Sequence, residues 1–348
     1  MKKNIGIFYS SHNNYSMLEN ECLKRIDFED YPMVNVDDHS TPEEIIYGKN
    51  VCKNNNVKFI LNEGRGVQFS TNTAIKYFKN HYDCEWVFCF QHDVWPLTDK
   101  FFTKFDDYVR TKNVNDIGAI GFNVLDNFKE YSGNGYYEFL NGKKPKGWLG
   151  IMNLCDNRPI WKKLNNKELI IRYKNILIGN EVPLNNEINR RFFCPKVTKN
   201  FNRISKMYNG LFSVELPAWV CVAINVEKWF KYISPTDDFI FHLWFNDVAY
   251  QFMKNNIYVA VTSDLYVENE QRIKLKYGMS KSSAHEILKK GTKFMQEDGD
   301  HLKVFNLKWG WSYEDSKSTY PAVREKYAGT LIDKLFYHDF TKGPYRTF

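Results

Sequence analysis

The first hundred residues alternate short apolar segments with segments of helical character, and this alternation constrains the fold more than any other feature. Apolar segments at 4–10, 33–36, 57–62 and 86–90 have the length and composition of buried strands. One of the helical segments between them opens with Ser40-Thr41-Pro42-Glu43, a typical N-cap followed by a first turn. This order predicts an α/β fold with a mostly parallel central sheet and helices on both faces.

Polar residues stand where each of these strands ends. They are Ser10-Ser11, Asp37-Asp38, the loop 62–66 and the triplet Gln91-His92-Asp93. In sheets of this class, ligands bind in the crevice outside the carboxyl ends of the strands. The sequence therefore predicts one cleft that collects all four polar clusters.

The rest of the chain is less regular. Residues 127–210 are rich in Asn, Lys, Gly and aromatics and lack a steady period, which predicts long loops over the site that recognise an acceptor. Strand and helix character returns after 213, with an amphipathic helix at 239–256 and a strand at 257–267. We expect a catalytic domain at 1–270 and a mainly helical extension at 271–348 packed on it.

Composition excludes several protein classes. A chain of 348 residues with 43% hydrophobic content can bury a large core. Its apolar stretches are far shorter than the roughly 20 residues of a membrane span, and its start lacks the apolar run of a secretory signal. The seven scattered cysteines contain no CxxC pair, so we expect reduced thiols and a cytoplasmic protein.

Positive charge is concentrated near the C-terminus. Residues 271–348 contain 15 Lys and Arg against 9 Asp and Glu, which is a net charge of +6 out of +7 for the chain. Such a basic segment suits a phosphate, an acidic acceptor or peripheral contact with an anionic membrane, while solvated surface lysines are the plain alternative. No nucleic-acid-binding module is present in the sequence, and we expect no nucleic-acid partner.

Four motifs in order resemble family 2 glycosyltransferases of the GT-A fold. They are VNVDDHST, NEGRGVQFSTNTAI, FCFQHDVWPL and FNDVAYQFMKNNIYVAV, and the resemblance covers about residues 4–265. Each motif is weak alone, but the order and the placement at strand ends agree with the family. The resemblance implies a GT-A fold and a nucleoside diphosphate sugar as donor, UDP-linked.

The first two motifs imply the donor site. By the resemblance, Asp37 or Asp38 holds the nucleoside, and Ser10 lies at the neighbouring strand end. A carboxylate accepts hydrogen bonds from a base N–H or from ribose hydroxyls, although capping of the next helix would also explain these residues. The glycine loop and its helix supply the remaining donor residues, which are Gly64, Arg65 and Asn72.

The triplet Gln91-His92-Asp93 occupies the position of the family's DxD signature. The resemblance implies that Asp93 binds a divalent cation, Mn²⁺ or Mg²⁺, which stabilises the leaving diphosphate. Gln91 replaces the first acid of the signature and retains hydrogen-bonding capacity toward ribose, with the loss of one anionic ligand. His92 is either a donor-site residue or a structural histidine.

The fourth motif implies the catalytic base. Asp247 matches the acid that takes the proton of the acceptor hydroxyl in an inverting transfer, although a buried structural acid would give the same pattern. Nearby Trp219 and Trp244 would stack on the acceptor sugar or pack in the core. The histidine that completes the cation shell in many relatives is absent from its usual place. Either Asp264, Glu268, His285 or His301 replaces it, or the cation is held only by Asp93, the diphosphate and water.

The resulting hypothesis is a metal-assisted, inverting glycosyltransferase. Its partners would be a nucleotide-sugar donor and a glycan, lipid-linked or protein acceptor. The alternatives are a catalytically silent GT-A-like module that binds nucleotide or sugar, and a retaining transferase on the same fold. Hydrolase, metallopeptidase, kinase and dinucleotide oxidoreductase readings lack their motifs.

Overall fold

The structure is a computed structural model. It describes residues 4–126, 210–214, 217, 219–240, 243–269, 304–305, 307–309, 326–338 and 344–348. The region 127–209 and most of 270–325 lie outside these ranges, so the predicted acceptor loops and several predicted C-terminal helices fall outside the described residues.

The described elements alternate as the sequence predicts. The strands are β1 (Ile5–Ser11), β2 (Met33–Asp37), β3 (Lys58–Leu61), β4 (Trp86–Phe90), β5 (Val94–Pro96), β6 (Ile117–Asp126), β7 (Leu211–Val214), β8 (Cys221–Asn225) and β9 (Tyr258–Asn269). The helices are α1 (Tyr15–Met17), a π-helical turn Leu18–Cys22, α2 (Leu23–Arg25), α3 (Pro42–Asn54), α4 (Val67–Tyr82), α5 (Phe101–Thr111), α6 (Val226–Tyr232), α7 (Trp244–Lys254) and α8 (Leu331–Tyr337).

The strands form one mixed sheet in the order β3-β2-β1-β4-β8-β6-β9-β5, with β7 paired to β9. Strands β1 to β4 are mutually parallel, β8 is antiparallel to its neighbours, and β6 and β9 again run parallel to each other. The predicted α/β fold with a mostly parallel central sheet is confirmed.

Helices cover both faces of the sheet because the strands alternate their side chains between two cores. In β4, Val87 and Cys89 join the core that contains α4, α6, α7 and α8, whereas Trp86 and Phe88 join the core that contains α1, α3 and α5. Successive side chains of a strand point to opposite faces, so one buried strand feeds both layers.

Local chemistry fixes where several helices begin. Thr41 caps α3 by accepting a hydrogen bond from the Glu44 amide at 3.4 Å, and Pro42 occupies the first turn. The carboxylate of Glu29 accepts hydrogen bonds from the amides of Phe102 and Thr103 at the start of α5. These caps satisfy amide groups that the first turn of a helix leaves without partners.

The described parts of the C-terminal region pack against the sheet layer that holds α7. Phe305, Trp309 and residues of α8 are buried in the same core as α7. The last residues return to β7, where Ser213 N donates to Arg346 O at 2.8 Å and Phe348 N donates to Leu211 O at 2.9 Å. No helix in the described ranges has the length and apolar character required to cross a bilayer.

Candidate active site

The ends of the first three parallel strands lie side by side. In the register of the sheet, Ser11 is opposite Asp37, and Asp37 is opposite Leu61. The Asp38 amide donates to Ser11 O at 2.7 Å, and the Asn62 amide donates to Asp37 O at 2.8 Å. The polar residues that follow these strands therefore meet at one edge, as the sequence predicts.

Asp37 is fully buried, and its carboxylate serves the fold. Oδ2 accepts a hydrogen bond from the Tyr15 hydroxyl at 2.6 Å, and Oδ1 accepts one from the Ser40 amide at 3.1 Å. Burial, the hydrogen bond to Asp37 and its charge raise the pKa of Tyr15 well above its usual value. Asp37 therefore ties the end of β2 to α1 and to the turn before α3.

Asp38 faces the glycine loop instead. Both of its carboxylate oxygens lie 3.0 Å from the Gly66 amide, and Oδ1 also accepts a hydrogen bond from Asn62 Nδ2 at 2.8 Å. The side chain of Asp38 retains 11% exposure. Of the two acids, Asp38 is the one that is partly exposed to solvent.

The position of Gly66 does not accommodate a residue with a side chain. Its φ is +86°, in the left-handed region, and a Cβ there would stand 2.6 Å from Ile240 Cα and 2.8 Å from Ile240 O. Both the backbone angle and the close approach of another segment exclude a side chain. Gly64 also lies in this loop, whereas Arg65 between them is exposed to solvent.

Two polar residues of the helix after this loop, Ser70 and Asn72, have different environments. Ser70 accepts hydrogen bonds from Ser10 Oγ and from Asn62 Nδ2, each at 3.0 Å, so Ser10 belongs to the cluster. Asn72 does not, because its Oδ1 accepts a hydrogen bond from Trp229 Nε1 of α6 at 3.1 Å. The contacts of Asn72 give no support to its predicted place in the donor site.

The triplet after β4 divides into three different environments. His92 is buried, with Nε2 at 2.8 Å from Ser11 Oγ, and burial lowers the pKa of His92 to about 4. The imidazole is thus neutral near pH 7 and links the ends of β1 and β4. Gln91 Nε2 is buried and has no hydrogen-bond partner among the described residues, so a bound ligand or a water molecule would satisfy it.

Asp93 is 1% exposed. Burial first, and then the charge of Asp93, raise the pKa of the Cys22 thiol, which places the carboxylate near Cys22. In the described ranges no three His, Cys, Asp or Glu side chains form a group that could hold a metal ion. Gln91 and Asp93 offer oxygen ligands of the type that hard cations prefer, but fewer than the usual six or so, and they fit a cation only in part.

Of the residues predicted to replace the missing histidine, Asp264 is the one whose side chain is described. Asp264 is exposed and lies beside Tyr108 of α5, whose pKa is raised by burial and further by Asp264. Residue 268 is paired with Trp95 in the register of β5 and β9, and Trp95 follows Asp93 by two positions in the chain. The side chain of residue 268 is not described. His285 and His301 lie outside the described residues.

Asp247 lies in the first turn of α7 and is fully buried. Its Oδ2 accepts hydrogen bonds from Gln68 Nε2 at 3.1 Å and from Gln251 Nε2 at 2.7 Å. Its Oδ1 accepts a hydrogen bond from Trp309 Nε1 at 2.8 Å and forms an ion pair with Lys308 Nζ at 2.8 Å. Four donors among the described residues therefore hold the carboxylate, and of these Lys308 is the most exposed, at 33%.

Three consecutive residues at the start of α4 connect the two acidic sites. The Gly66 amide binds Asp38, the Val67 amide donates to Ile240 O at 2.9 Å, and Gln68 binds Asp247. Asp38 and Asp247 are far apart in the chain, yet they contact the same helical turn. The predicted nucleoside residue and the predicted base therefore contact groups that lie within three consecutive residues.

The two predicted acceptor tryptophans pack edge to face, with ring centroids 6.5 Å apart. Trp244 is 1% exposed and also packs on Phe245, so its ring belongs to the core. Trp219 is half-buried and is the more exposed of the two. The contacts of Trp244 do not support stacking on a sugar.

Sequence reasoning missed the four donors of Asp247, which are Gln68, Gln251, Lys308 and Trp309. Gln251 is one turn after Asp247 on the same helix, a spacing that brings side chains together and offered the only local signal. The others come from α4 and from the C-terminal region, and nothing in their local sequence marks them.

Comparisons with known proteins find distant structural matches and no matching family. No protein-family model matches the chain, and no curated protein matches it. Solved structures of GT-A glycosyltransferases resemble it over most of its length.

A crystal structure of GalNAc-T7 with UDP, GalNAc and Mn²⁺ shares 13% identity at a TM-score of 0.49, covering 96% of this chain and 55% of that chain. A crystal structure of S. aureus TarS shares 11% identity at a TM-score of 0.42, covering 89% of this chain and 44% of that chain. A crystal structure of S. aureus TarS 1–349 shares 13% identity at a TM-score of 0.39, covering 93% of this chain and 77% of that chain. The chain spans about half the length of the first two. All three TM-scores lie below 0.5, so residue roles rest on the geometry given above.

Proposed function

We propose that the protein is a glycosyltransferase that moves a sugar from a nucleoside diphosphate donor to an acceptor hydroxyl. The observation that carries this proposal is the junction at Gly66, Val67 and Gln68, where one helical turn contacts both Asp38 and Asp247. A transferase needs a donor site and an acceptor-activating group at the same cleft, and this junction supports such an arrangement.

Asp38 and Gln91 are the residues we propose for the nucleoside. Asp38 is the partly exposed acid of the pair, and the amide nitrogen of Gln91 has no partner among the described residues. A carboxylate acceptor and an amide donor together suit a uracil base and ribose hydroxyls. We propose UDP as the nucleotide, following the sequence resemblance, and the UDP and Mn²⁺ in the GalNAc-T7 structure make them suitable probes.

The leaving diphosphate carries negative charge that must be stabilised. A bound Mn²⁺ or Mg²⁺ would neutralise that charge, with Asp93 as the carboxylate ligand and Gln91 beside it. The remaining ligands would come from the diphosphate, from water or from residues outside the described ranges. Arg65 is exposed in the adjoining loop and supplies a cation to the same edge of the sheet.

Asp247 is the residue we propose for the base. An inverting transfer requires a carboxylate that takes the proton of the acceptor hydroxyl while its oxygen attacks the anomeric carbon. Oδ2 is held by two buried amides, so the acceptor would approach Oδ1 from the side of Lys308. In this proposal the ammonium group of Lys308 moves away from Oδ1 when the acceptor binds.

The C-terminal region would then be part of the active site rather than an appendage. Lys308 and Trp309 reach Asp247 from that region. We keep as proposals the division at 270, a cytoplasmic location, and contact of the basic residues of 271–348 with an acidic acceptor or an anionic membrane surface.

The test is a panel of nucleotide sugars assayed for transfer and for donor hydrolysis with Mn²⁺ and with Mg²⁺. We expect turnover with a UDP-sugar, and a loss of about 10²–10⁴ in rate in Asp247→Asn. Asp93→Asn should lower turnover and weaken its dependence on the cation, whereas Asp116→Asn, a change at an exposed acid, should leave the rate unchanged.

Three other outcomes point elsewhere. UDP binding without turnover would support the silent module, for which the full occupation of Asp247 is the motivating observation. A product that keeps the anomeric configuration in its NMR spectrum would support a retaining transferase. Failure to bind any nucleotide would overturn the proposal.

A further inference from the structure

The carboxylate of Asp247 has two unlike oxygens, and two glutamine side chains create the difference. Gln68 and Gln251 both donate to Oδ2, at 3.1 and 2.7 Å. Gln68 is fully buried and Gln251 is 9% exposed. Oδ1 in contrast binds Trp309 and the partly exposed Lys308. One oxygen is thus bound by two neutral amides, and the other by a buried indole N–H and a partly exposed ammonium group.

The orientation of both amides is fixed by their other atom. Gln68 Oε1 accepts a hydrogen bond from the Thr236 amide at 3.1 Å, and Gln251 Oε1 accepts one from the Ser234 amide at 2.8 Å. A backbone N–H can only donate, so each side-chain oxygen must face the 234–236 loop and each NH₂ must face Asp247. The loop after α6 therefore sets the direction of both donors.

We infer that Gln68 and Gln251 are positioning residues that hold Oδ2 of Asp247 and leave Oδ1 as the oxygen that accepts the acceptor proton. This inference rests on the proposed function. A base must meet its proton within hydrogen-bond reach and along a defined direction, and two amides on one oxygen fix the plane of the carboxylate. Gln68 also donates to Trp244 O at 3.0 Å, which ties this geometry to the first turn of α7.

The test uses Gln68→Glu and Gln251→Glu in the full chain, assayed with the best UDP-sugar from the panel. Each variant keeps the shape of the side chain and an oxygen for the loop amide, but places a second carboxylate against Oδ2. Like charges favour protonation, so the acid limb of the kcat profile should move upward by about one pH unit or more. We expect kcat to fall about tenfold or more while KM for the donor changes less than about threefold.

Thr71→Val is the matched control. Thr71 is buried on α4, one turn after Val67, and its hydroxyl donates to Val67 O at 2.7 Å without contact to a carboxylate. The control should lose some stability and keep the wild-type pH profile. The second glutamine keeps the test decisive if Gln68→Glu does not fold, because Gln251→Glu challenges the same oxygen from another helix.

The outcomes separate this inference from the proposed function. If the wild type turns over and both glutamate variants give the pH profile of Thr71→Val, the positioning role is wrong and the transferase stands. If the wild type has no turnover with any nucleotide sugar, the proposed function fails and the inference fails with it. The positioning role is supported if the acid limb shifts in the glutamate variants and does not shift in Thr71→Val.

Discussion

The environments of Asp38 and Asp247 differ in where their hydrogen-bond donors come from. Asp38 binds Asn62 and Gly66, which are at most 28 residues away along the chain. Asp247 binds Gln68, 179 residues earlier, and Trp309, 62 residues later. The first site is assembled by adjacent strand ends, whereas the second exists only when three distant regions fold together.

This difference has a physical consequence for stability and for prediction. A cluster formed by neighbouring turns depends on backbone geometry, so glycine substitutions should damage it most. A cluster formed by side chains from distant segments depends on buried polar contacts, and loss of one partner leaves the others unsatisfied.

The largest effect is expected at Gly66, which binds Asp38 and directly precedes α4. Gly66→Ala places a Cβ against the Ile240 backbone at a positive φ, and should lower the free energy of unfolding by about 2–5 kcal/mol. Gly329→Ala is the matched control, because its φ is +78° and its Cβ would meet nothing within 4 Å. Chemical denaturation should show a cost of only about 1 kcal/mol for the control. Equal costs would mean that the approach of Ile240 is unimportant.

Acid should weaken the strand-end site through His92. Because burial lowers the pKa of His92 to about 4 from a usual value near 6.5, the unfolded chain takes up a proton before the folded one. This contribution is complete above pH 6.5 and is lost as the pH falls toward 4, by up to about 3 kcal/mol. His92→Gln should flatten the dependence of unfolding free energy on pH across this window, measured with a chelator present. A slope identical to that of the wild type would contradict the buried, neutral imidazole.

Loss of the positive charge of Lys308 should weaken the site around Asp247. Lys308→Met retains the aliphatic stem and removes the charge on Asp247 Oδ1, so unfolding free energy should fall by about 1–3 kcal/mol. Lys334→Met, at an exposed lysine of α8, should stay within about 0.5 kcal/mol of the wild type. In a double-mutant cycle with Asp247→Asn, additive changes would show that Lys308 and Asp247 are not coupled.

The smallest effect is expected at the edge of the strand-end site. Ser10→Ala removes the hydrogen bond from Ser10 Oγ to Ser70 Oγ, in a partly buried position where about 0.5–1.5 kcal/mol is usual. Thermal unfolding should show a shift of this size. A cost above that of Gly66→Ala would reverse the ranking of backbone and side-chain contributions drawn here.

The sequence predicts the strand-end site well because its signals are local. Apolar runs that end at Ser10, Asp37 and Gln91 mark strands β1, β2 and β4, and parallel strands must end at a common edge. The α/β fold with its mostly parallel sheet follows from the same alternation.

The rest could not be predicted because it depends on tertiary contacts. Asn72 matches the family pattern, but the packing of α4 on α6 assigns it to Trp229. Trp244 resembles a stacking residue, yet packing on Phe245 makes it part of the core. The donors of Asp247 carry no local signal, since an unremarkable glutamine or lysine gains its role only from the segment that it meets.

We propose that Asp38, Asp93 and Asp247 face one nucleotide sugar. A crystal structure of the protein with UDP and Mn²⁺ tests it most directly. The account predicts the uridine within hydrogen-bond distance of Asp38 and Gln91, with the diphosphate between Asp93 and the start of α4. A UDP molecule bound away from Asp38, or on the far side of the sheet from Gln68 and Asp247, would contradict it.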